Sequence, residues 1–344
     1  MNLIRKVLFP FSILYGWITS IRNILYQRQI FKRHTFSIPL IVVGNLSVGG
    51  TGKTPMVEYL IRLLSEKYPM ATLSRGYKRK TKGFVLADKH TKMEDIGDEP
   101  FQYFQKFPSI SVAVDANRVH GIEELQLRKP QLELIVLDDA YQHLPVKANM
   151  NILLTTYSEL YSDDWMLPTG NLREGRKGAQ RAQVVVVTKC PKEISSSEQQ
   201  AVAQRLQLQQ HQALFFTYIE YAVEIFSKTE KLALSLIDRD QVVLVAGIAK
   251  PKSFFDYLKT SATQCLTYPD HHAFSDSDLE LILKTAAGRK IITTEKDYMR
   301  LQEVLPSDQL YYLPIQTAFV NKAAAFDQIL LNYVEQNSRN SSIS

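Results

Sequence analysis

Cysteine is scarce: the 344 residues hold two, Cys190 and Cys265, far apart and in no CxxC pair. That excludes a disulfide-stapled scaffold and reads as free thiols in a reducing compartment. No His or Cys set has zinc-ligand spacing, so a structural zinc is not expected. Long apolar runs are missing too. The uncharged stretch Val7–Ile21 is broken by Pro10 and Gly16 and falls short of the roughly 20 residues that span a bilayer. No small-residue cleavage site follows it, so it does not read as a signal peptide. Acidic residues are absent until Glu58, while Met1–Phe36 carries Arg5, Lys6, Arg22, Arg28, Lys32 and Arg33. Those positives account for the whole net charge of +6. The rest of the chain is near neutral, which argues against a general nucleic-acid binder and for a locally basic N-terminus. There is no internal repeat, and the only low-complexity stretch is the polar tail Gln336–Ser344, expected to fray.

What is present begins with Ile41-Val42-Val43-Gly44-Asn45-Leu46-Ser47-Val48-Gly49-Gly50-Thr51-Gly52-Lys53-Thr54. A β-branched apolar run reads as a buried strand, breaks into a glycine-rich loop and ends in Gly-Lys-Thr. Pro55 then suits a first helical turn, and Met56, Leu60, Leu63 and Leu64 recur at helical spacing. This is the pattern of a phosphate cradle, with loop N–H groups and a helix N-terminus aimed at an anion. Gly49, Gly50, Thr51, Gly52, Lys53 and Thr54 are the expected nucleotide-binding residues. Lys53 would reach the β/γ-phosphates and the Thr54 hydroxyl would ligate Mg²⁺. The usual first glycine of the motif is replaced by Ser47.

Further strands follow, each ending in polar residues. Ala71-Thr72-Leu73-Ser74 runs into a basic loop with Arg75, Tyr77, Lys78, Arg79, Lys80 and Lys82, suited to an anionic substrate. Gly97-Asp98-Glu99-Pro100 opens a helical stretch. In a phosphotransferase, a carboxylate there would accept the proton of an attacking hydroxyl. Ser111–Val114 is followed by Asp115, Asn117 and Arg118 at the mouth of the sheet. Leu132–Asp139 delivers Asp138 and Asp139 at a strand end, the shape of a carboxylate element on the Mg²⁺ side of the phosphates, with Tyr141, Gln142 and His143 next to it. Asn151–Thr155 and Val184–Lys189 complete a set of strands apolar on both faces, as in a buried parallel sheet.

The expected fold is α/β: a P-loop NTPase-like, doubly wound, mostly parallel sheet, a smaller second α/β domain and an N-terminal membrane-interface helix. The boundaries read from the sequence are 1–35 for the interfacial segment, 36–212 for the nucleotide domain and 213–228 for a strand-like hinge. The smaller domain takes 229–335, with helices at Phe254–Lys259, Asp276–Lys284 and Ala323–Val334, and the tail is 336–344. The smaller domain carries no second phosphate loop. Its Tyr268-Pro269-Asp270-His271-His272 suggests metal or acid–base work. The stretch Val7–Ile21, aromatic and flanked by Arg and Lys, fits a helix lying in the membrane interface against anionic headgroups.

Together these motifs resemble the tetraacyldisaccharide 4′-kinase family of Gram-negative bacteria. The resemblance rests on Val43-Gly44-Asn45 through Gly49–Pro55, Ser74-Arg75-Gly76-Tyr77, Gly97-Asp98-Glu99-Pro100, Asp138-Asp139 with Gln142-His143, Leu172-Arg173-Glu174, Ala246-Gly247-Ile248, Asp270-His271-His272 and Thr294-Glu295-Lys296-Asp297. It implies ATP- and Mg²⁺-dependent phosphorylation of the 4′-hydroxyl of an acylated glucosamine disaccharide 1-phosphate, the lipid A precursor. It implies Asp98 as catalytic base with His271 or His272 assisting. Asp138, Asp139, Thr54 and Glu174 fall on the metal side, and Asn45, Ser74, Arg75, Tyr77, Glu99, Arg118, His143 and Arg173 on the substrate side. It also implies a peripheral monomer on the cytoplasmic face of the inner membrane. Two other readings compete. A membrane-associated P-loop ATPase switch would carry a signature lysine where this chain has Val48. A nucleotide-binding scaffold would leave Asp98, His271 and His272 without a task.

Overall fold

The computed structural model describes residue 5 and residues 7–341. Lys6 of the basic flank, residues 1–4 and residues 342–344 of the tail lie outside the described residues. The chain divides into two compact units, one of residues 1–96, 103–219 and 317–344, the other of residues 97–102 and 220–316.

The first unit is built on a nine-stranded sheet of order β15-β8-β7-β6-β1-β5-β2-β4-β3. Its strands are β1 (Leu40–Asn45), β2 (Met70–Ser74), β3 (Val85–Leu86), β4 (Ser111–Val114), β5 (Leu134–Asp138), β6 (Met150–Thr156), β7 (Val184–Thr188), β8 (Ala213–Tyr221) and β15 (Ile315–Phe319). From β8 through β4 the neighbours run parallel, and β3 closes the far edge antiparallel. β1, β2, β5 and β7 are buried along their whole length, which explains their unbroken apolar runs. β1 lies between β6 and β5, and its register sets Val43 opposite Asp138. The phosphate loop and the acid pair therefore leave the sheet side by side, at the strand C-terminal edge where such sheets bind ligands.

The second unit is a six-stranded sheet of order β10-β9-β14-β13-β11-β12. Here β9 is Glu224–Phe226, β10 Lys231–Ala233, β11 Val242–Ala246, β12 Gln264–Thr267, β13 Lys290–Thr294 and β14 Leu310–Leu313. Its core gathers Leu244, Phe254, Phe255, Leu258, Ile292 and Tyr311.

The structure moves three expected boundaries. The strand-like stretch 213–228 is divided between the sheets: Ala213–Tyr221 is a strand of the first, Glu224–Phe226 belongs to the second, and the chain passes from one unit to the other at residues 219–220. The last helix, Ala323–Ser341, belongs to the first unit and continues into the stretch expected to fray. Buried Phe326 packs edge-on against Phe215, 5.2 Å between centroids. Tyr333 Oη donates to the Leu40 carbonyl at 2.9 Å, and Tyr59 Oη donates to Asp327 at 2.7 Å. Residues 97–102, placed by sequence order in the nucleotide domain, pack with the second unit.

The N-terminal helix Phe9–Gln27 has its polarity inverted. Its buried residues are Ser12 and Thr19, whereas Phe11, Leu14, Trp17, Ile18 and Ile21 are all more than half exposed. Among the described residues no helix is long and apolar enough to cross a membrane.

Candidate active site

In the first unit the phosphate loop is held by its own strand and by the end of β7. Asn45 Nδ2 donates to Thr51 Oγ1 at 2.9 Å, Thr188 Oγ1 to the Thr51 carbonyl at 2.8 Å and Lys189 Nζ to the Gly50 carbonyl at 2.7 Å. Gly49 and Gly52 take φ of +107° and +86°, where a side chain would be strained, so glycine is needed there. Ser47 in place of the motif's first glycine also has an explanation. It forms an antiparallel bridge with Leu172, an extended backbone open to any residue. Gly52 precedes the helix Lys53–Leu64, whose N-terminus faces the loop.

Lys53 Nζ lies 3.4 Å from Asp139 Oδ1, and Arg173 lies 3.5 Å from Asp139 Oδ2. Burial alone would raise the Asp139 pKa, but the charges of Lys53 and Arg173 outweigh it and hold the carboxyl below its ordinary value. Asp138 is buried and accepts from Tyr103 Oη at 3.1 Å.

Around this pair the first unit gathers buried polar atoms without hydrogen-bond partners: Asn45 Oδ1, Ser74 Oγ, Arg118 Nε and His143 Nε2. Each such atom costs about 1–3 kcal/mol unless something bonds to it. Their grouping at the strand C-terminal edge is the mark of a site built for a polar ligand. Burial, helped by Arg118 and Arg75, pushes the His143 pKa down to about 4, so its imidazole is neutral at pH 7. Burial also lowers Arg118, to about 10, against the opposing pull of Asp138 and Asp139; it stays charged. Arg75 is exposed, and Tyr77 is exposed beside Lys78.

One first-unit expectation needs correcting. Glu174 is not placed as a metal ligand. Its carboxylate is fully buried, pairs with both terminal nitrogens of Arg181 and accepts from Asn23 Nδ2 at 2.6 Å. Asn45 braces Thr51 with its amide nitrogen and leaves Oδ1 without a partner, so its expected place on the substrate side stays open.

The second unit holds the other cluster. Asp98 Oδ2 accepts from His271 Nδ1 at 2.9 Å and from Arg300. Glu99 pairs with Lys296 through Oε1. Arg300 is fixed in turn by buried Asp297 at 2.9 Å. Burial would raise the Asp98 pKa, but the His271 hydrogen bond and the charges of Lys296 and Arg300 prevail and hold it well below the ordinary carboxylate range. His272 is held apart from this pair: Nε2 bonds Asp278 at 2.9 Å and the ring stacks on Tyr268. Of the two expected histidines, His271 is therefore the one that meets Asp98.

The model of the tetraacyldisaccharide-1-P 4′-kinase family matches residues 4–335. The chain belongs to that family. A tetraacyldisaccharide 4′-kinase of Flavobacterium johnsoniae is 59% identical over 337 residues, covering 98% of this chain and 99% of that one. One from Bacteroides thetaiotaomicron is 42% identical over 367 residues, covering 99% and 96%. Among solved structures, an LpxK from Aquifex aeolicus in complex with ATP superposes with a TM-score of 0.78 at 29% identity, covering 96% of this chain and all of that one.

For a member of the 4′-kinase family, the sequence reading gave no role to several supporting residues: Thr188 and Lys189 beside the phosphate loop, Lys296 and Asp297 of the motif Thr294–Asp297, and Arg300, which it did not single out. Lys296 and Arg300 stand four apart on one face of the helix Glu295–Leu301. That spacing was the available signal. Arg300→Gln gives a test with a definite sign. Removing the cation frees the Asp98 pKa to rise, so the acid limb of the kcat–pH profile should move to higher pH by about one to two units. An unmoved acid limb would show that Arg300 does not set the charge of Asp98.

Proposed function

We propose that the first unit holds ATP, with Mg²⁺, and that Asp98 of the second unit receives the proton of the acceptor hydroxyl. The chain is a phosphotransferase with an alcohol acceptor: it moves the γ-phosphoryl group of ATP to the 4′-hydroxyl of the lipid A disaccharide 1-phosphate precursor. The observation that carries the assignment of the base is the Asp98–His271 hydrogen bond, reinforced by Arg300. An ATPase switch has no need of a buried carboxylate paired to an imidazole.

Phosphoryl transfer demands mostly positioning and charge neutralisation. The loop N–H groups and Lys53 cradle the triphosphate. Thr54, Asp138 and Asp139 fit a magnesium ion: Asp139 Oδ1 is shut off from solvent with the Lys53 ammonium 3.4 Å away, and one or two carboxylates beside phosphates are what this ion favours. When bound, Mg²⁺ neutralises charge on the β- and γ-oxygens. Arg173, beside Asp139, adds positive charge on the same side. Asp98 stays ionised down to low pH, and its hydrogen bond to His271 lets the pair share the incoming proton. Arg75 and Arg118, with neutral His143, suit the acceptor's polar and anionic groups.

The inverted N-terminal helix supports work at a membrane surface. Burying the exposed side chains of Phe11, Trp17 and Ile18 in the acyl boundary would each yield about 1.5–3 kcal/mol, and Arg22 and Arg28 suit anionic headgroups. On this proposal the protein works peripherally at the inner-membrane surface, as a monomer on the cytoplasmic face. Incubation of γ-labelled ATP with and without the acylated disaccharide, resolved by thin-layer chromatography, tests the reaction. Label should pass to the lipid, and ATP hydrolysis indifferent to the lipid would leave the switch reading. Deleting residues 1–24 should lower flotation with anionic liposomes more than it lowers ATP binding; unchanged flotation would remove the interfacial helix.

A further inference from the structure

The polar side of the N-terminal helix is not merely hidden; it is bonded to one segment. Ser12 Oγ donates to Thr169 Oγ1 at 2.7 Å and accepts from the Thr169 amide at 3.0 Å. Tyr15 Oη donates to the Arg173 carbonyl at 3.0 Å. Asn23 Nδ2 donates to Glu174 Oε1 at 2.6 Å.

The same segment is paired with the phosphate loop. Val48 N donates to the Asn171 carbonyl and Arg173 N to the Leu46 carbonyl, each at 2.8 Å, flanking the Ser47–Leu172 bridge. The Arg173 side chain reaches Asp139, which reaches Lys53. Residues 169–174 thus carry the interfacial helix on one side and the nucleotide loop on the other.

We infer that Tyr15 and Asn23 are positioning residues for phosphoryl transfer. By fixing the backbone at Arg173 and the buried Glu174–Arg181 pair, they set the register of residues 171–173 against the phosphate loop and the place of Arg173 against Asp139. Neither touches nucleotide or acceptor in this role. Both act through the 169–174 segment, so the seating of the helix and the geometry of the loop are one mechanical unit. The inference rests on the reading that Arg173 and Asp139 serve the phosphates. It does not depend on what the outward face of the helix meets.

The test uses the full-length protein with ATP and the acylated disaccharide in mixed micelles. Tyr15→Phe removes one oxygen and keeps the ring. Asn23→Asp replaces a donor by an anion facing Glu174. A third variant, Trp17→Ser with Ile18→Ser, alters only the outward face. For each, kcat, KM for the lipid, flotation with phosphatidylglycerol-containing vesicles and thermal midpoint are measured. Tyr15→Phe should lower kcat about 3- to 10-fold with flotation retained and a midpoint near wild type, and Asn23→Asp should lower kcat further with flotation retained and a lowered midpoint, since its carboxylate faces buried Glu174. The outward-face variant should lose flotation and put its loss into the lipid KM. Undiminished kcat in Tyr15→Phe, whatever Asn23→Asp does, overturns the inference. So does a kcat that falls only in step with flotation. Retained flotation in the Trp17/Ile18 variant would instead sink the membrane reading and leave the positioning result standing on kcat.

Discussion

Asp98→Asn is expected to lower kcat about a thousandfold, the scale of losing a positioned general base, while ATP still binds. The amide fills the same space but has neither the charge nor the basicity to take a proton. The site does not simply lose one group. Arg300 and His271 both face Asp98 Oδ2, and Lys296 adds its charge nearby. With the carboxylate gone these groups keep Asp297 and Glu99 as anions, so part of the buried charge is left uncompensated. Breaking such a pair costs about 3–5 kcal/mol at the upper end, which a lowered thermal midpoint would register. The pH dependence of that midpoint separates the two effects. The folded pKa of Asp98 lies below its unfolded value, so its contribution is complete above about pH 4 and fades as pH falls towards the folded value. Wild type should therefore lose stability in strong acid more steeply than Asp98→Asn. Near-normal turnover in the variant would remove Asp98 as the base.

What the sequence disclosed follows from how local each feature is. The phosphate loop is one contiguous stretch in which strand, glycines, Gly-Lys-Thr and helix each leave a signature. Asp138 and Asp139 end an unbroken apolar strand, so their place at a sheet edge was legible as well. The Asp98 cluster was legible only in half. His271 and Arg300 lie 173 and 202 residues along the chain from Asp98, and no periodicity links positions so far apart. The same distance hid the true extent of the second unit: six residues beginning at Gly97 pack with it, inside a region that otherwise builds the first sheet.

Glu174 was misplaced for a related reason. Beside Arg173 in the Leu172-Arg173-Glu174 run it reads as a site acid, yet Arg181 at the far end of the following 3₁₀-helix neutralises it and Asn23 bonds it from the N-terminal helix. The composition of that helix showed an apolar, basic-flanked segment. It did not show that Ser12, Thr19 and Asn23 face inward, because an inverted helix and a core helix have the same periodicity. Only the partners at 169 and 174 distinguish them.

Lys53→Ala is the second large loss, about 10²–10³-fold in kcat on the scale of removing one preorganised charge from a phosphoryl site. Lys53 opens its helix, is mostly shielded from solvent, and its Nζ stands 3.4 Å from Asp139. Alanine leaves the loop itself in place. Thr51 is still held by Asn45 and Thr188, Gly50 by Lys189 and Ser47 by Leu172. The thermal midpoint without nucleotide should therefore stay close to wild type, and the rise in midpoint on adding ATP should shrink. Asp139 responds in a predictable direction. It keeps only Arg173 at 3.5 Å, so its pKa rises, and the variant's residual activity should fall off on the acid side at a higher pH than in wild type. Lys53→Arg should not rescue fully, because a guanidinium fork cannot occupy the point-charge position of an ammonium in a closed loop. Turnover within tenfold of wild type in Lys53→Ala would mean that the loop amides and Arg173 carry the charge of the transferring group without it.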